Sequence, residues 1–178
     1  MKKITVCRQT TFQRTKYNQF LPMTSSVRRI RSLIKSCFKG PAWHGPAVLE
    51  VIEHLPIDLI NQRINDGNSI IELVHHMASW KRFVLKKLEG DPDFDVVGDF
   101  NFTRMEQATE ADWQAAIDRI KSVHQELMDK LKYTEDAILV EGVPGRSYDF
   151  FFLLTGIVNH DLYHLGQIIL LKKGGEEQ

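Results

Sequence analysis

The sequence predicts an all-α protein, an antiparallel four-helix bundle with long crossover connections. Three observations carry that expectation. Four amphipathic segments of about 15–25 residues repeat the helical spacing of apolar side chains. No stretch shows convincing alternation of apolar and polar residues, the mark of a half-buried strand. A long apolar run from Tyr148 to Lys173 contains no Pro and only Gly156 and Gly166, which favours a buried helix over a strand.

The first segment begins at Thr24 or Ser25 and runs to Phe38. Val27, Ile30, Ile34 and Phe38 make its stripe, Arg28, Arg29, Arg31 and Lys35 turn mostly outward, and Gly40-Pro41 ends it. A turn-rich connector, Pro41-Ala42-Trp43-His44-Gly45-Pro46, leads to a short helical stretch from Ala47 to Leu55 and a turn at Asp66-Gly67-Asn68. Ser69 opens the second long segment, with Glu72 three residues on in the capping-box pattern. Ile70, Leu73, Val74, Met77, Trp80, Val84 and Leu88 form its stripe, and Gly90-Asp91-Pro92 closes it. The third runs from about Glu110 to Lys132 on Trp113, Ala116, Ile117, Ile120, Leu127, Met128 and Leu131. The fourth follows the turn Gly142-Val143-Pro144-Gly145, with Ser147 as its expected N-cap and Lys172 and Lys173 suited to the negative end of the helix dipole. The connections between the first and second and between the second and third long segments exceed what simple neighbours need, which predicts crossovers.

Length and composition suit one domain over residues 22–178, preceded by a basic, loosely ordered extension over residues 1–21. Apolar content of 43% and charged content of 26% are ordinary for a globular chain. Asn159, His160, Asp161, His164 and Gln167 interrupt the most apolar run, so no membrane span is expected. Two cysteines, Cys7 and Cys37, make neither a disulfide framework nor a metal cluster. The N-terminus lacks the apolar core of a secretory signal, and the cytoplasm is the default location. Net charge is zero, yet residues 1–39 carry ten Lys or Arg and no acid. Such an arm can bind an anionic partner, and it also resembles an organelle transit peptide. No aromatic or Gly-rich nucleic-acid motif accompanies it, so a solvated tail is the preferred reading over nucleic acid.

The chemistry is concentrated in the fourth segment. His160 and His164 stand four residues apart and therefore share a helix face with Leu153, Ile157, Gln167 and Leu171. Two imidazoles in an apolar stripe need a partner, because buried polar groups without one are costly. With seven histidines in the chain, a lone HxxxH pair is weak evidence, and the alternative is a pair of histidines satisfied by hydrogen bonds. On the second segment His76 falls beside the stripe while His75 points almost directly away, so His76 is the inward candidate. His124 lies on the third stripe and reads more readily as a hydrogen-bonded core residue than as a fourth group. Metal sites in bundles are built from facing helices. Three neutral imidazoles, His76, His160 and His164, suit Zn²⁺, Ni²⁺, Fe²⁺ or Cu²⁺ and leave a coordination position open. Glu72, Asp161 and Gln167 are the candidate acceptors for the outer ring nitrogens. Each imidazole must be deprotonated to bind, so metal affinity is expected to fall below about pH 6.5.

Three segments in order, Gly40-Pro41-Ala42-Trp43-His44-Gly45-Pro46, Ser69 to Trp80, and His160 to Ile168, resemble the DinB-like superfamily of metal-binding four-helix bundles. The resemblance covers roughly residues 24–173. It implies a divalent-metal site with one histidine from the second helix, matched by His76, and the HxxxH pair of the fourth, matched by His160 and His164. One departure is Asn68, where many relatives have Trp or His before the Ser; packing at the helix start should change rather than ligation. Characterised relatives include thiol-dependent transferases and isomerases. The resemblance thus implies transfer of a low-molecular-weight thiol to an electrophilic small-molecule substrate, with metal-dependent hydrolysis as the runner-up, and homodimerisation. A non-catalytic bundle acting through its basic N-terminus is the reading from another class.

Overall fold

The structure is a computed structural model that describes residues 25–176. The predicted basic extension at residues 1–21 lies outside the described residues. Five α-helices account for the fold: α1 (Ser26–Lys39), α2 (Val48–Ile52), α3 (Ile70–Leu88), α4 (Glu110–Lys132) and α5 (Phe150–Glu176). Short 3₁₀ turns occupy Ile57–Leu59, Gly98–Phe100 and Asp136–Val140. No strand occurs among the described residues, only an isolated bridge between Gly142 and Asp149. No helix among them is long and apolar enough to cross a membrane.

Local chemistry sets the helix ends. At α1 the Ser25 side chain accepts from Arg28 N–H, and Asp136 reaches across to accept from Ser26 N–H and Val27 N–H at 2.8 and 2.9 Å. These contacts satisfy donors that a helix start leaves open. At α3 the Glu72 carboxylate accepts from Ser69 N–H at 2.8 Å, closing the predicted box from the glutamate side. The start of α5 differs from expectation. Val143 N–H bonds to Tyr148 O and Phe150 N–H to Glu141 O, which holds residues 141–149 as a small hairpin. The helix therefore cannot begin at Ser147. Asp149 takes the capping role instead, its carboxylate accepting from Phe152 N–H at 2.9 Å.

The four long helices form a ring: α1 and α3 each pack against both α4 and α5. The connection from α1 to α3 therefore crosses the bundle, and α2 lies along it against α1 and α5. The connection from α3 to α4 does not make a crossover, since these two helices are the most extensively packed pair. Its length serves another purpose, described below.

Two apolar clusters fill the bundle. One gathers Phe38, Ile71, Val74, Trp113, Ile120, Leu165 and Ile168; the other gathers Val27, Ile34, Phe83, Leu127, Leu154 and Ile157. Every long helix passes from one cluster to the other, and on three of them the inward residue at the passage is polar. It is Lys81 on α3, His124 on α4, and His160, Asp161 and His164 on α5, while α1 places the buried thiol of Cys37 there. The bundle is thus cut by a polar layer, in a place where apolar side chains would be cheaper.

Candidate metal centre

α3 and α5 pack side by side and bring three histidines to one end of that layer. His76, His160 and His164 each offer a ring nitrogen, and these three atoms lie within 4.8 Å of one another. Nε2 of His76 and Nε2 of His160 are 3.0 Å apart. His76 and His164 are buried and His160 is half-buried.

The outer nitrogens decide which tautomer each ring takes. Nδ1 of His76 donates to the Asn101 main-chain carbonyl at 2.9 Å, and Nδ1 of His164 donates to Oε1 of Gln167 at 2.6 Å. Both acceptors lack a proton, so in each ring the hydrogen sits on Nδ1 and Nε2 carries the lone pair, which at His76 faces Nε2 of His160. Nδ1 of His160 is buried without a hydrogen-bond partner. The His76 ring is also stacked on Phe102, centroids 3.9 Å apart, and edged by Trp80, whose Nε1 donates to Oδ1 of Asn101 at 3.2 Å. This is what the long connection before α4 does: Asn101 and Phe102 lie over His76 and hold its ring in place.

Burial keeps all three rings neutral. It pushes His76 down to about 4, with a smaller push from His164 and opposition from the bond to Asn101. It pushes His160 down to about 3, helped by the neighbouring His164, His76 and Lys81. His164 is also lowered by burial, while Gln167 and Asp161 act against the shift. A donor set of three uncharged imidazoles, two of them with the Nε2 lone pair fixed by an outer contact, could hold a divalent transition metal, and the residues fit that group. Because burial lowers all three rings, competition by protons sets in below the reference value of about 6.5.

Gln167 contacts His164. Glu72 does not face the cluster. Its carboxylate is taken up by Arg63 at 3.0 Å, Met105 N–H at 2.6 Å and Ser69 N–H at 2.8 Å, so it ties the connection before α4 to the start of α3. Burial raises its pKa, but the Met105, Ser69 and Arg63 contacts outweigh that and hold it below the usual carboxylate value. Asp161 makes no hydrogen bond to the three rings; it pairs with Lys81 and acts on His164 through its charge alone. His75 faces Arg119, away from the three, as its place on the wheel predicts. His124 is fully buried and stacks on Phe38 with centroids 3.9 Å apart, and neither ring nitrogen has a partner. It is therefore not the hydrogen-bonded core histidine that was expected. Burial, then the charges of Lys81 and Lys39, push it down to about 3, so it is neutral too. Asn68 lines a hollow of about 190 Å³ beside Leu73 and Gln167 at the start of α3.

Sequence reasoning missed Asn101, Phe102 and Lys81. Asn101 and Phe102 belong to a connection without periodicity, and nothing local signals their place. Lys81 carried a readable sign: it follows Met77 by four and precedes Val84 by three, inside the apolar sector.

Fold and site together define a class, an all-α bundle with a cluster of three imidazoles able to hold a metal ion. A profile described as the DinB superfamily matches residues 43–168, well over half of the chain, and the chain belongs to that superfamily. The match is narrower than the resemblance read from the sequence and leaves out α1, which nevertheless completes the ring. No curated protein and no solved structure matches the chain.

Proposed function

We propose that this chain is a metal-dependent enzyme in which His76, His160 and His164 hold one divalent ion and a low-molecular-weight thiol is transferred to an electrophilic small molecule. The observation that supports this most is the convergence of three neutral imidazoles with no acidic member. Three protein ligands with a position to spare are the pattern of catalytic rather than structural sites. When bound, the ion supplies Lewis acidity that lowers the pKa of a thiol or water at the open position. The chain's own residues orient and shelter that centre. Asn101 and Gln167 fix the tautomers of two rings, while Phe102 and Trp80 wall off His76. The sulfur comes from outside the bundle: Cys37 is buried and its thiol is pushed up to about 12, first by burial and then by Asp161, against Lys81. The other cysteine, Cys7, lies outside the described residues. In the reaction a sulfur–carbon bond forms as the bond from carbon to the leaving group breaks. The thiol proton goes to solvent and the leaving group departs with the bonding pair.

The test uses protein loaded in turn with zinc, nickel and iron. Glutathione, cysteine or mercaptoethanol is mixed with benzyl chloride or chlorodinitrobenzene, and free thiol and product are both quantified. The expected result is S-substituted product formed faster than with chelator-treated protein. Product arising from water alone, at unchanged thiol, would make the enzyme a hydrolase instead. No metal-dependent turnover of either kind would overturn the enzymatic reading.

Gln167 gives a finer test. Replacing it by Leu removes the acceptor on His164 Nδ1 while keeping side-chain bulk. Loss of such an outer contact weakens metal binding by about 10–100-fold. Competition against a chromophoric chelator measures this directly, and affinity equal to wild type would show that Gln167 does not orient the ring.

A further inference from the structure

Next to the histidine cluster lies a second feature that the metal reading does not use. Trp80 of α3, Tyr148 ahead of α5, and Phe152, Ile157 and His160 of α5 surround a hollow of about 180 Å³. None of its lining side chains is charged. Trp80 already spends its one donor on Asn101, so that wall offers only its ring. Tyr148 and Phe152 stand against each other with centroids 5.1 Å apart, and Phe152 is 64% exposed.

Gly156 keeps this space open. It sits inside α5, where glycine is unfavourable by roughly 1 kcal/mol relative to Ala. Close packing does not demand it, since a Cβ built there meets nothing within 4 Å. Gly156 is also four residues before His160. On a helix the later side chain leans back over the turn before it, so the missing side chain leaves room directly beside the imidazole. His160 thus belongs to both features, and its buried Nδ1 has no hydrogen-bond partner.

We infer that the hollow beside Gly156 is a binding subsite for an uncharged aromatic or compact apolar group. This rests on the function proposed above, in that the same group would be the body of the electrophilic substrate with its reacting end at the histidines. Size and polarity set the class. An apolar cavity of about 150 Å³ holds benzene. This one therefore takes a single ring with a small substituent. An anion of the same shape finds no cationic partner on these walls and loses its hydration on entry.

Benzyl alcohol and benzoate are matched probes, one neutral and one charged. Their binding to the full chain is followed by tryptophan fluorescence and ligand-observed NMR, on chelator-treated protein and again after zinc loading. On chelator-treated protein, where no ion can ligate the carboxylate, wild type should bind benzyl alcohol saturably at one site and benzoate at least about tenfold more weakly. Gly156→Ala should weaken benzyl alcohol severalfold and Gly156→Leu should abolish its binding, with metal content as in wild type. Alanine favours the helix, so Gly156→Ala carries the test even where the Leu variant fails to fold. Equal binding of the two probes to chelator-treated protein, or Gly156 variants that bind like wild type, would overturn the subsite. His164→Ala separates the two readings, because His164 does not line the hollow. Benzyl alcohol binding should survive in that variant, and it should survive in wild type even where no metal binds, which would sink the metal reading alone.

Discussion

Replacing His164 by Ala should take the purified protein from near one equivalent of divalent metal to none, and His160→Ala should do the same. Each change removes one of only three nitrogens in the cluster. Loss of an outer hydrogen bond alone costs about 10–100-fold in affinity, and loss of a ligand must cost more. The controls are chosen by geometry. His75 faces Arg119 and His124 stacks on Phe38, so His75→Ala and His124→Phe should keep the metal. Elemental analysis of untagged protein settles the outcome, and unchanged content in His164→Ala would eliminate the three-histidine site. Acid should act late. Protons compete with metal only as pH falls through the pKa values of the rings, and burial has lowered these to about 4 for His76 and about 3 for His160. His164 is lowered as well, so occupancy should begin to fail at a pH below the reference imidazole value of about 6.5 rather than at it. Release centred near 6.5 would mean that the rings are far more hydrated than their packing indicates.

The largest effect on stability should come from Lys81. Its ammonium is 0% exposed and pairs with Asp161, itself 1% exposed, in the middle of the polar layer. The second Asp161 oxygen has no partner, so the carboxylate depends heavily on that one cation. Burial raises the Asp161 pKa and Lys81 acts against the rise. Lys81→Met keeps the length of the side chain and strands the carboxylate. Removing one partner of a buried pair costs about 3–5 kcal/mol. For a chain of this size that is a fall in Tm on the order of 10 °C. The double variant Lys81→Met with Asp161→Leu should recover most of the loss, because a buried pair is often no better than apolar residues of similar volume. Thermal melts of the three proteins provide the test. A single variant within about 1 kcal/mol of wild type would show that Asp161 is solvated or otherwise compensated.

Much of this architecture is legible without coordinates. The helical stripes of Val27 to Phe38, Ile70 to Leu88 and Trp113 to Leu131 depend only on spacing, and each of those faces is buried in the bundle. The pairing of His160 with His164 on one face, and the choice of His76 over His75, follow from the same 3.6-residue period. Period says which way a side chain points from its own helix; it says nothing about what waits there. That Nδ1 of His76 meets the Asn101 carbonyl depends on the course of an aperiodic connection. That Glu72 serves Arg63 and Met105 rather than His76 depends on which chain segments come to lie beside it. Lys81 and Asp161 each look like a charged residue misplaced on an apolar stripe, and only the packing of α3 against α5 makes them a pair. The sequence by itself determined the four long helices, their buried faces and the three inward histidines, because local periodicity is enough for those. Tertiary structure alone decided the ring order, the polar layer, the acceptors behind His76 and His164 and the hollow beside Gly156, because each arises where segments distant in the chain come to share one space.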